Sequence, residues 1–257
     1  MSTPQQQFTA YNLTAYLARR DGTPFTFTLR PAVPSDAASM ASIVASAHLH
    51  TSLSRFLSPY RYTYLDDFLL GFQQRILTRM SQGNMLSYVA SDSGGRVIGY
   101  AQFRRDGATR SRAMEQAQSN WWSWLVARPW LRLRLWLWLW LWRPRARDGD
   151  PEAVGIFAAS EGDYWNGPVW RERWHAVSVA VSMAAQRRGV GTALMRVGMR
   201  AAEEDGVPLA LEASDQGEGL YRKLGFRLRR RFNLYFEGES GGVMVWTPPG
   251  WKGEEEL

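Results

Sequence analysis

The sequence contains the run Gln186-Arg187-Arg188-Gly189-Val190-Gly191-Thr192-Ala193, which lies between a β-branched segment and an amphipathic one. The glycines at 189 and 191 remove two side chains two positions apart, so the backbone there can approach a ligand closely. If a helix begins here, its first N–H groups have no partner within the helix and can bind an anion. Arginines at 187 and 188 add positive charge. The run therefore predicts a phosphate-binding turn between a strand and a helix.

The spacing of this run differs from the two common nucleotide-binding loops. A P-loop requires a lysine followed by Ser or Thr directly after its last glycine, whereas Thr192 follows Gly191 without a lysine. A dinucleotide-binding turn requires a third glycine, and this chain has Leu194 at that position. The pattern that remains is Gln-x-x-Gly-x-Gly.

The segments on both sides of the run have the periodicity of regular structure. Residues 174–181 are rich in β-branched side chains and alternate well enough to predict a half-buried strand. After the run, apolar or small residues recur at 194, 197, 198 and 201, which predicts a helix ending near Gly206. Residues 209–213 predict another short strand, and Gly219-Leu220-Tyr221-Arg222-Lys223-Leu224-Gly225-Phe226 follows it.

These segments, in this order, resemble the GNAT acyltransferase superfamily and look like its uncharacterised fungal-type members. The Gln-x-x-Gly-x-Gly run is similar to the family's pyrophosphate-binding loop, and residues 220–226 are similar to its Leu-Tyr-x-x-x-Gly-Phe helix and turn. The opening Leu29-Arg30-Pro31-Ala32, with Asp36, is similar to its first strand and helix. The resemblance implies an α/β (α+β) fold of the GNAT acyl-CoA N-acyltransferase type. In that fold a mixed, mostly antiparallel sheet is flanked by helices, and the strands at 174–181 and 209–213 are parallel and splay apart.

The resemblance also implies an activity: transfer of an acetyl group from acetyl-CoA to a primary amine, directly within a ternary complex. It assigns the pantetheine arm to the backbone of Val179, Ala180 and Val181. Its pyrophosphate contacts would be made by Gln186, Arg187, Arg188, Gly189, Val190, Gly191 and Thr192. Tyr221 matches a tyrosine that in many members protonates the departing thiolate, and a phenol is chemically suited to that step.

The base that deprotonates the amine is less well defined. Some family members have a glutamate eleven positions before the loop glutamine, where this chain has His175, and an imidazole can accept a proton near neutral pH. Glu172, Glu212 and a water-mediated route are alternatives. His48 and His50 are expected at the entrance for the acceptor, and we expect no metal site.

Other segments predict the rest of the domain. Strands are expected at 25–32, 85–91 and 96–105, helices at about 37–47 and 65–80, and a closing hairpin from 226–236 and 241–247 around a turn at 237–240. We therefore divide the chain into an N-terminal extension (1–24), an N-acetyltransferase domain (25–247) and a C-terminal tail (248–257).

Composition restricts the function classes. The chain has 257 residues, no cysteine and a net charge of +7 that comes almost entirely from arginine. Without cysteine, disulfides, thiolate metal sites and cysteine nucleophiles are excluded. The positive charge is typical of either a nucleic-acid partner or an anionic cofactor, and since no nucleic-acid-binding motif is present we expect no nucleic acid. The N-terminus lacks the pattern of a secretory signal, which predicts a cytoplasmic location.

An insertion separates the two parts of the resemblance, at residues 106–171. Its centre alternates Leu with Arg and then Leu with Trp, and we predict a helix over about 119–142, either continuous or restarted at Pro129. The fully apolar part is too short to span a bilayer. Six arginines between 128 and 147 have no acidic residue among them. This helix could form a wall or lid over the acceptor side, contact an anionic membrane through residues 128–145, or bind a protein. The alternative to an enzyme is therefore a non-catalytic acyl-CoA-binding or interaction module. In addition, the sequence at 150–153 predicts a capped helix start.

Overall fold

The computed structural model describes residues 15–18, 24–117, 129–130, 133, 137, 146–161, 164–165, 168–232 and 241–252. Its strands are β1 (Ala15–Ala18), β2 (Pro24–Pro31), β3 (Met85–Asp92), β4 (Val97–Asp106), β5 (Arg173–Val181), β6 (Leu209–Ala213), β7 (Arg227–Arg231) and β8 (Gly242–Trp246). Its helices are α1 (Ala37–His48), α2 (Ser52–Leu57), α3 (Leu65–Met80), α4 (Arg112–Ala117), α5 (Pro151–Glu161), α6 (Val190–Asp205) and α7 (Asp215–Lys223).

The strands form one eight-stranded sheet in the order β1-β2-β3-β4-β5-β6-β8-β7. Neighbouring strands are antiparallel except β5 and β6, which are parallel and pair only at Trp174–Leu209 and His175–Ala210. Beyond these two pairs the strands separate, although β5 continues to Val181. This confirms the predicted mixed, mostly antiparallel sheet with a splayed parallel pair. The edge strand β1 lies within the segment that we assigned to an N-terminal extension.

A β-bulge in β5 changes which side chains face each side of the sheet. Gln102 of β4 pairs with Ser178 and Phe103 pairs with Ala176, so Val177 is the extra residue. Before the bulge, Trp174 and Ala176 belong to the larger core; after it, Ala180 belongs to the core on the other face. A bulge adds one residue to a pattern with a period of two, which reverses the alternation.

The sheet has a hydrophobic core on each face. The larger core packs α6 against alternate residues of the central strands, including Phe103, Trp174 and Leu194. The smaller core packs α1 and α3 against the opposite side, where Val89 and Tyr100 are fully buried. Farther along that side, Tyr164 packs with residues of β6 and β8. Both faces are covered, which is why the central strands are buried along most of their length.

A buried ion-pair cluster connects β4 to the C-terminal end of α6. The Arg105 guanidinium contacts Asp205 at 3.2 Å and Glu172 at 2.6 Å, and the Trp174 indole N–H donates to Asp205 at 2.9 Å. The backbone N–H of Ala113 also donates to Asp205. Since Asp205 is almost completely buried, these donors compensate for the loss of its hydration.

The structure confirms most of the predicted elements near their predicted limits. The predicted helices correspond to α1 and α3, the 85–105 hairpin to β3 and β4, and the closing hairpin to β7 and β8, while its turn at 237–240 lies outside the described residues. Asp150 caps α5, because its carboxylate accepts from the N–H groups of Glu152 and Ala153. The sequence did not predict α2 and α4, which are only six residues long and carry little periodic signal.

The predicted insertion helix is described at only four positions. Pro129, Trp130, Leu133 and Leu137 are helical, and the remainder of 119–142 lies outside the described residues. The described residues include no helix that is both long enough and apolar enough to cross a membrane.

Candidate active site

The turn after β5 holds its backbone in two left-handed conformations. Arg187 has φ 60° and Gly189 has φ 75°, and Gly189 is the residue from which α6 begins. The side-chain amide of Gln186 donates from Nε2 to the backbone carbonyl of Val181 at 3.1 Å. This hydrogen bond closes the turn against the end of the strand. A left-handed conformation is natural for glycine and costly for arginine. These two residues therefore reverse the extended backbone of β5 before α6 begins.

The start of α6 presents backbone donors to the solvent side of this turn. The first N–H groups of a helix have no intrahelical acceptor, and the helix dipole adds partial positive charge there. At Gly191 an added Cβ would lie 3.1 Å from a methyl group of Leu220 and 3.7 Å from Val181. A larger side chain at this position would have to enter the space in front of the N–H groups. The arrangement fits a diphosphate held by backbone amides.

A cavity of about 810 Å³ extends from this turn into the gap between β5 and β6. Its walls come from β5, the turn, the start of α6, α7, and the loop between α1 and α2. Its polar lining residues include His48, His50, Gln186, Arg187, Thr192, Ser214, Lys223 and Tyr221. The histidines predicted at the acceptor entrance therefore lie in the cavity wall, and His50 Nδ1 is 2.9 Å from the Tyr62 hydroxyl.

Most of the predicted cofactor-binding residues line this cavity. They are Val179, Ala180, Val181, Gln186, Arg187, Gly189, Gly191 and Thr192. The side chains of the other two are directed elsewhere. The Arg188 guanidinium lies 4.8 Å above the ring of Phe25, and the Val190 side chain is buried in the larger core. At these two positions only the backbone is suited to ligand contact.

Tyr221 lies in the cavity wall, on α7. Its ring packs 5.7 Å from the ring of Phe226, and an added Cβ at Gly217 would lie 3.0 Å from its edge. Burial raises the pKa of Tyr221 to about 12, so the phenol remains protonated at neutral pH. Burial is the only cause of this shift among the described residues. Tyr221 is therefore a protonated donor available to a ligand in the cavity.

His175 lies near this gap but engages protein partners through both ring nitrogens. Nδ1 is 3.3 Å from the Arg104 guanidinium, and Nε2 is 2.7 Å from Glu212 Oε2. Because a guanidinium can only donate, Nδ1 accepts and Nε2–H donates to the carboxylate. His175 is buried and is not among the described residues that line the cavity. Its predicted role as a base stays a prediction.

The two alternative bases are also held by hydrogen bonds. Burial alone would raise the pKa of Glu212, but its interaction with His175 and the hydrogen bond from Trp165 lower it below its usual value. Burial would likewise raise the pKa of Glu172, but donors at Thr109, Arg105 and Ala108 lower it to about 2. Carboxylates with such low pKa values are weak bases.

The sequence did not indicate a hydroxyl pair beside the gap. The hydroxyls of Tyr100 and Ser178 are 2.7 Å apart, on β4 and β5, and burial raises the pKa of Tyr100 to about 12. Ser178 directly precedes Val179, and the bulge at Val177 directs it to this face of the sheet. No local sequence pattern predicts this pair, because it depends on the register of two strands that are far apart in sequence.

Comparisons with known proteins agree with this geometry. Residues 146–228 match a sequence model of the acetyltransferase (GNAT) domain. No curated protein matches the chain. Among solved structures, one of histone acetyltransferase HPA2 and related acetyltransferase from Corynebacterium glutamicum has 20% identity and a TM-score of 0.56, over 87% of this chain and 97% of that one.

Two further structures were solved with acetyl-CoA. A GNAT superfamily phosphinothricin acetyltransferase from Sinorhizobium meliloti is 18% identical, covers 86% of this chain and 88% of its own, and has a TM-score of 0.48. A putative acetyltransferase from Salmonella typhimurium is also 18% identical, with coverages of 86% and 93% and a TM-score of 0.46. By its sheet order, its splayed β5 and β6 and the domain match at 146–228, this chain has the GNAT acyl-CoA N-acyltransferase fold.

Proposed function

We propose that this protein is an N-acetyltransferase that moves an acetyl group from acetyl-CoA to a primary amine by direct transfer within a ternary complex. One observation carries the proposal. A single cavity connects the backbone donors at the start of α6 with the phenol of Tyr221 through the gap between β5 and β6. The match of residues 146–228 to an acetyltransferase (GNAT) domain supports the same activity. The resemblance to uncharacterised fungal-type members stays a prediction.

The residues around the turn fit acetyl-CoA in size and charge. The backbone N–H groups of Val190, Gly191 and Thr192 and the side chain of Arg187 would hold its diphosphate. Because β6 departs from β5 after residue 175, the backbone polar groups of residues 179–181 on that side would hydrogen-bond the pantetheine amides instead of another strand. The bound acetyl-CoA supplies a thioester carbonyl that an amine can attack.

Tyr221 would complete the transfer by protonating the thiolate of coenzyme A as the C–S bond breaks. Its raised pKa keeps the phenol protonated at neutral pH, so a proton is available when the thiolate forms. The acceptor amine must lose a proton in the same reaction. His175 can take it only at Nδ1, after Arg104 releases that nitrogen, and a water in the cavity is the alternative route.

Isothermal titration calorimetry with acetyl-CoA tests the cofactor assignment. Gly191→Trp should abolish binding, because the indole would fill the space in front of the α6 N–H groups. Gly155→Trp is the matched control, since Gly155 is an exposed helical glycine with no neighbouring atoms within 4 Å of an added Cβ. Unchanged binding in Gly191→Trp would refute the proposed site.

A second function, contact with an anionic membrane, is favoured by the described positions of the insertion. Trp130, Leu133 and Leu137 are helical at spacings of three and four residues and are 64%, 55% and 46% exposed. Such residues share one helix face. The arginine-rich sequence around them would complement anionic lipid headgroups.

Flotation with vesicles of phosphatidylglycerol, compared with phosphatidylcholine, tests this second function. Leu133→Glu should reduce binding to the anionic vesicles, whereas Val154→Glu, at an exposed apolar position on α5, should not. Equal flotation of both variants and the unchanged protein would exclude this helix face as a membrane contact.

A further inference from the structure

Arg75, on α3, is a cation without an ion-pair partner among the described residues. Other arginines of the same face are paired, such as Arg104 with Asp106 at 2.6 Å. The Arg75 guanidinium instead folds back along its own helix. It lies 4.5 Å above the ring of Phe72, and one of its nitrogens is 3.6 Å from the position of an added Cβ at Gly71. The exposed guanidinium is thus placed against its own helix by the contact with Phe72.

Contacts through Phe72 and His48 connect this guanidinium to the cavity wall. The ring of His48, which lines the cavity, is 6.0 Å from the ring of Phe72, on which Arg75 rests. Burial and the charge of Arg75 both lower the pKa of His48. The charges of Arg79 and Arg75 also act on Tyr100, whose hydroxyl bonds Ser178 next to the proposed pantetheine strand.

No carboxylate of the described residues forms a hydrogen bond with the Arg75 guanidinium. Although Arg75 is an exposed residue, desolvation by the atoms around its guanidinium lowers its pKa, and the charge of Arg79 lowers it further. Asp148 and Tyr100 act in the opposite direction, but only through space and without a hydrogen bond to Arg75. A ligand anion beside Arg75 would offset the desolvation and the repulsion from Arg79.

We propose that the acceptor amine carries a carboxylate or phosphate group, which the guanidinium of Arg75 binds while His48 borders the path to the thioester. The inference rests on the proposed function and specifies its substrate class. Arginine suits this task because its planar fork can donate two hydrogen bonds to one anionic group. Neutral amines of similar shape would lack this interaction and would leave Arg75 unpaired.

Matched acceptor pairs test the proposal by the release of free coenzyme A thiol. The first pair is phenylalanine with phenylalaninamide, and the second is O-phosphoethanolamine with ethanolamine. The ratio of kcat/KM within at least one pair should favour the anionic member by about tenfold or more. The pair that shows the preference identifies the anion as a carboxylate or a phosphate.

Variants of Arg75 separate recognition from general damage. Arg75→Gln should bring the ratio within the pair close to one, Arg75→Lys should restore part of it, and Arg196→Gln, an exposed arginine on α6, should preserve it. A ratio that is unchanged in Arg75→Gln, or that favours the neutral member, overturns the proposal.

A binding measurement covers acceptors that are not turned over. With the protein saturated by coenzyme A, N-acetylphenylalanine and N-acetyl-O-phosphoethanolamine are titrated in calorimetry against the N-acetylated neutral partners. Binding of an anionic product that Arg75→Gln weakens about tenfold or more supports the proposal. If coenzyme A binds and neither anionic product does, this inference fails while the cofactor site stands. If coenzyme A does not bind, the proposed function itself fails.

Discussion

The imidazole Nε2 of His175 and the carboxylate Oε2 of Glu212 lie 2.7 Å apart, joining β5 and β6 at the last place where these strands are still adjacent. At the start of the splay, His175 is buried and Glu212 is partly buried. The other carboxylate oxygen of Glu212 accepts from the Trp165 indole at 2.8 Å, so the interaction also holds the end of the insertion against the sheet.

Because both nitrogens of His175 are engaged, we expect His175→Gln to affect stability more than proton transfer. The free energy of unfolding should fall by about 1–3 kcal/mol, since Glu212 would lose a buried partner. The pH profile of kcat/KM should keep its shape. Urea unfolding and a pH–rate series check this. Loss of an ionisation from this profile, together with a rate decrease of about 10²-fold or more, would instead identify His175 as the base.

Tyr221→Phe should reduce kcat by about 10²-fold or more while coenzyme A affinity stays within about twofold. The phenol acts on the leaving group, whereas the diphosphate and pantetheine contacts are elsewhere. Stopped thiol-release assays and calorimetry measure the two quantities. Tyr60→Phe, at an exposed tyrosine, is the control. An unchanged kcat would mean that Tyr221 has only a packing role.

Gly198→Ala should destabilise the protein by about 1–3 kcal/mol. An added Cβ would lie only 2.3 Å from the ring of Phe103, which is fully buried under α6. The same substitution at Gly155, where an added Cβ meets no atom within 4 Å, should stabilise by about 0.5–1 kcal/mol. Thermal unfolding of the two variants tests this prediction. Equal shifts of Tm would show that α6 moves away from the sheet without a loss of stability.

Glu172 should make the stability depend on pH in the acid range. Its pKa is lowered to about 2 in the folded protein, so its contribution is complete above its ordinary value of 4.5 and is lost as the pH falls towards 2. The carboxylate is one third exposed, so we expect Glu172→Gln to cost only about 1–2 kcal/mol at pH 7.

The difference between the unchanged protein and Glu172→Gln should therefore shrink between pH 4.5 and pH 2, as measured by urea unfolding at several pH values. Glu203→Gln, on the exposed side of α6, should show no such trend. A pH-independent difference would indicate that Glu172 acts through packing rather than through its charge.

Local signals accounted for most of the elements that build the site. Residues 186–192 predicted a strand-to-helix turn, and α6 begins there with Gly189 in a left-handed conformation. Gly206, predicted to end the helix, is its C-cap with φ 66°. In the Gly225-Phe226 turn, Gly225 has φ 88°. These features depend on backbone conformations that a few adjacent residues control, so the sequence could predict them.

Contacts between distant segments could not be predicted in this way. Val177 forms a bulge because β4 and β5 pair in a particular register, and that register directs Ser178 towards Tyr100. The sequence identified His175 as a candidate base only by its spacing from the loop. Its hydrogen bonds to Arg104 and Glu212 join three strands, so they could not be predicted from that spacing.

The amino-acid sequence by itself therefore determined where the turn and the strands lie along the chain. It could do so because short-range sterics and periodicity act within each segment. Only the tertiary structure decided which side chains face the gap between β5 and β6 and which of them are engaged by protein partners. Those outcomes follow from strand register and helix packing, and both join residues tens of positions apart.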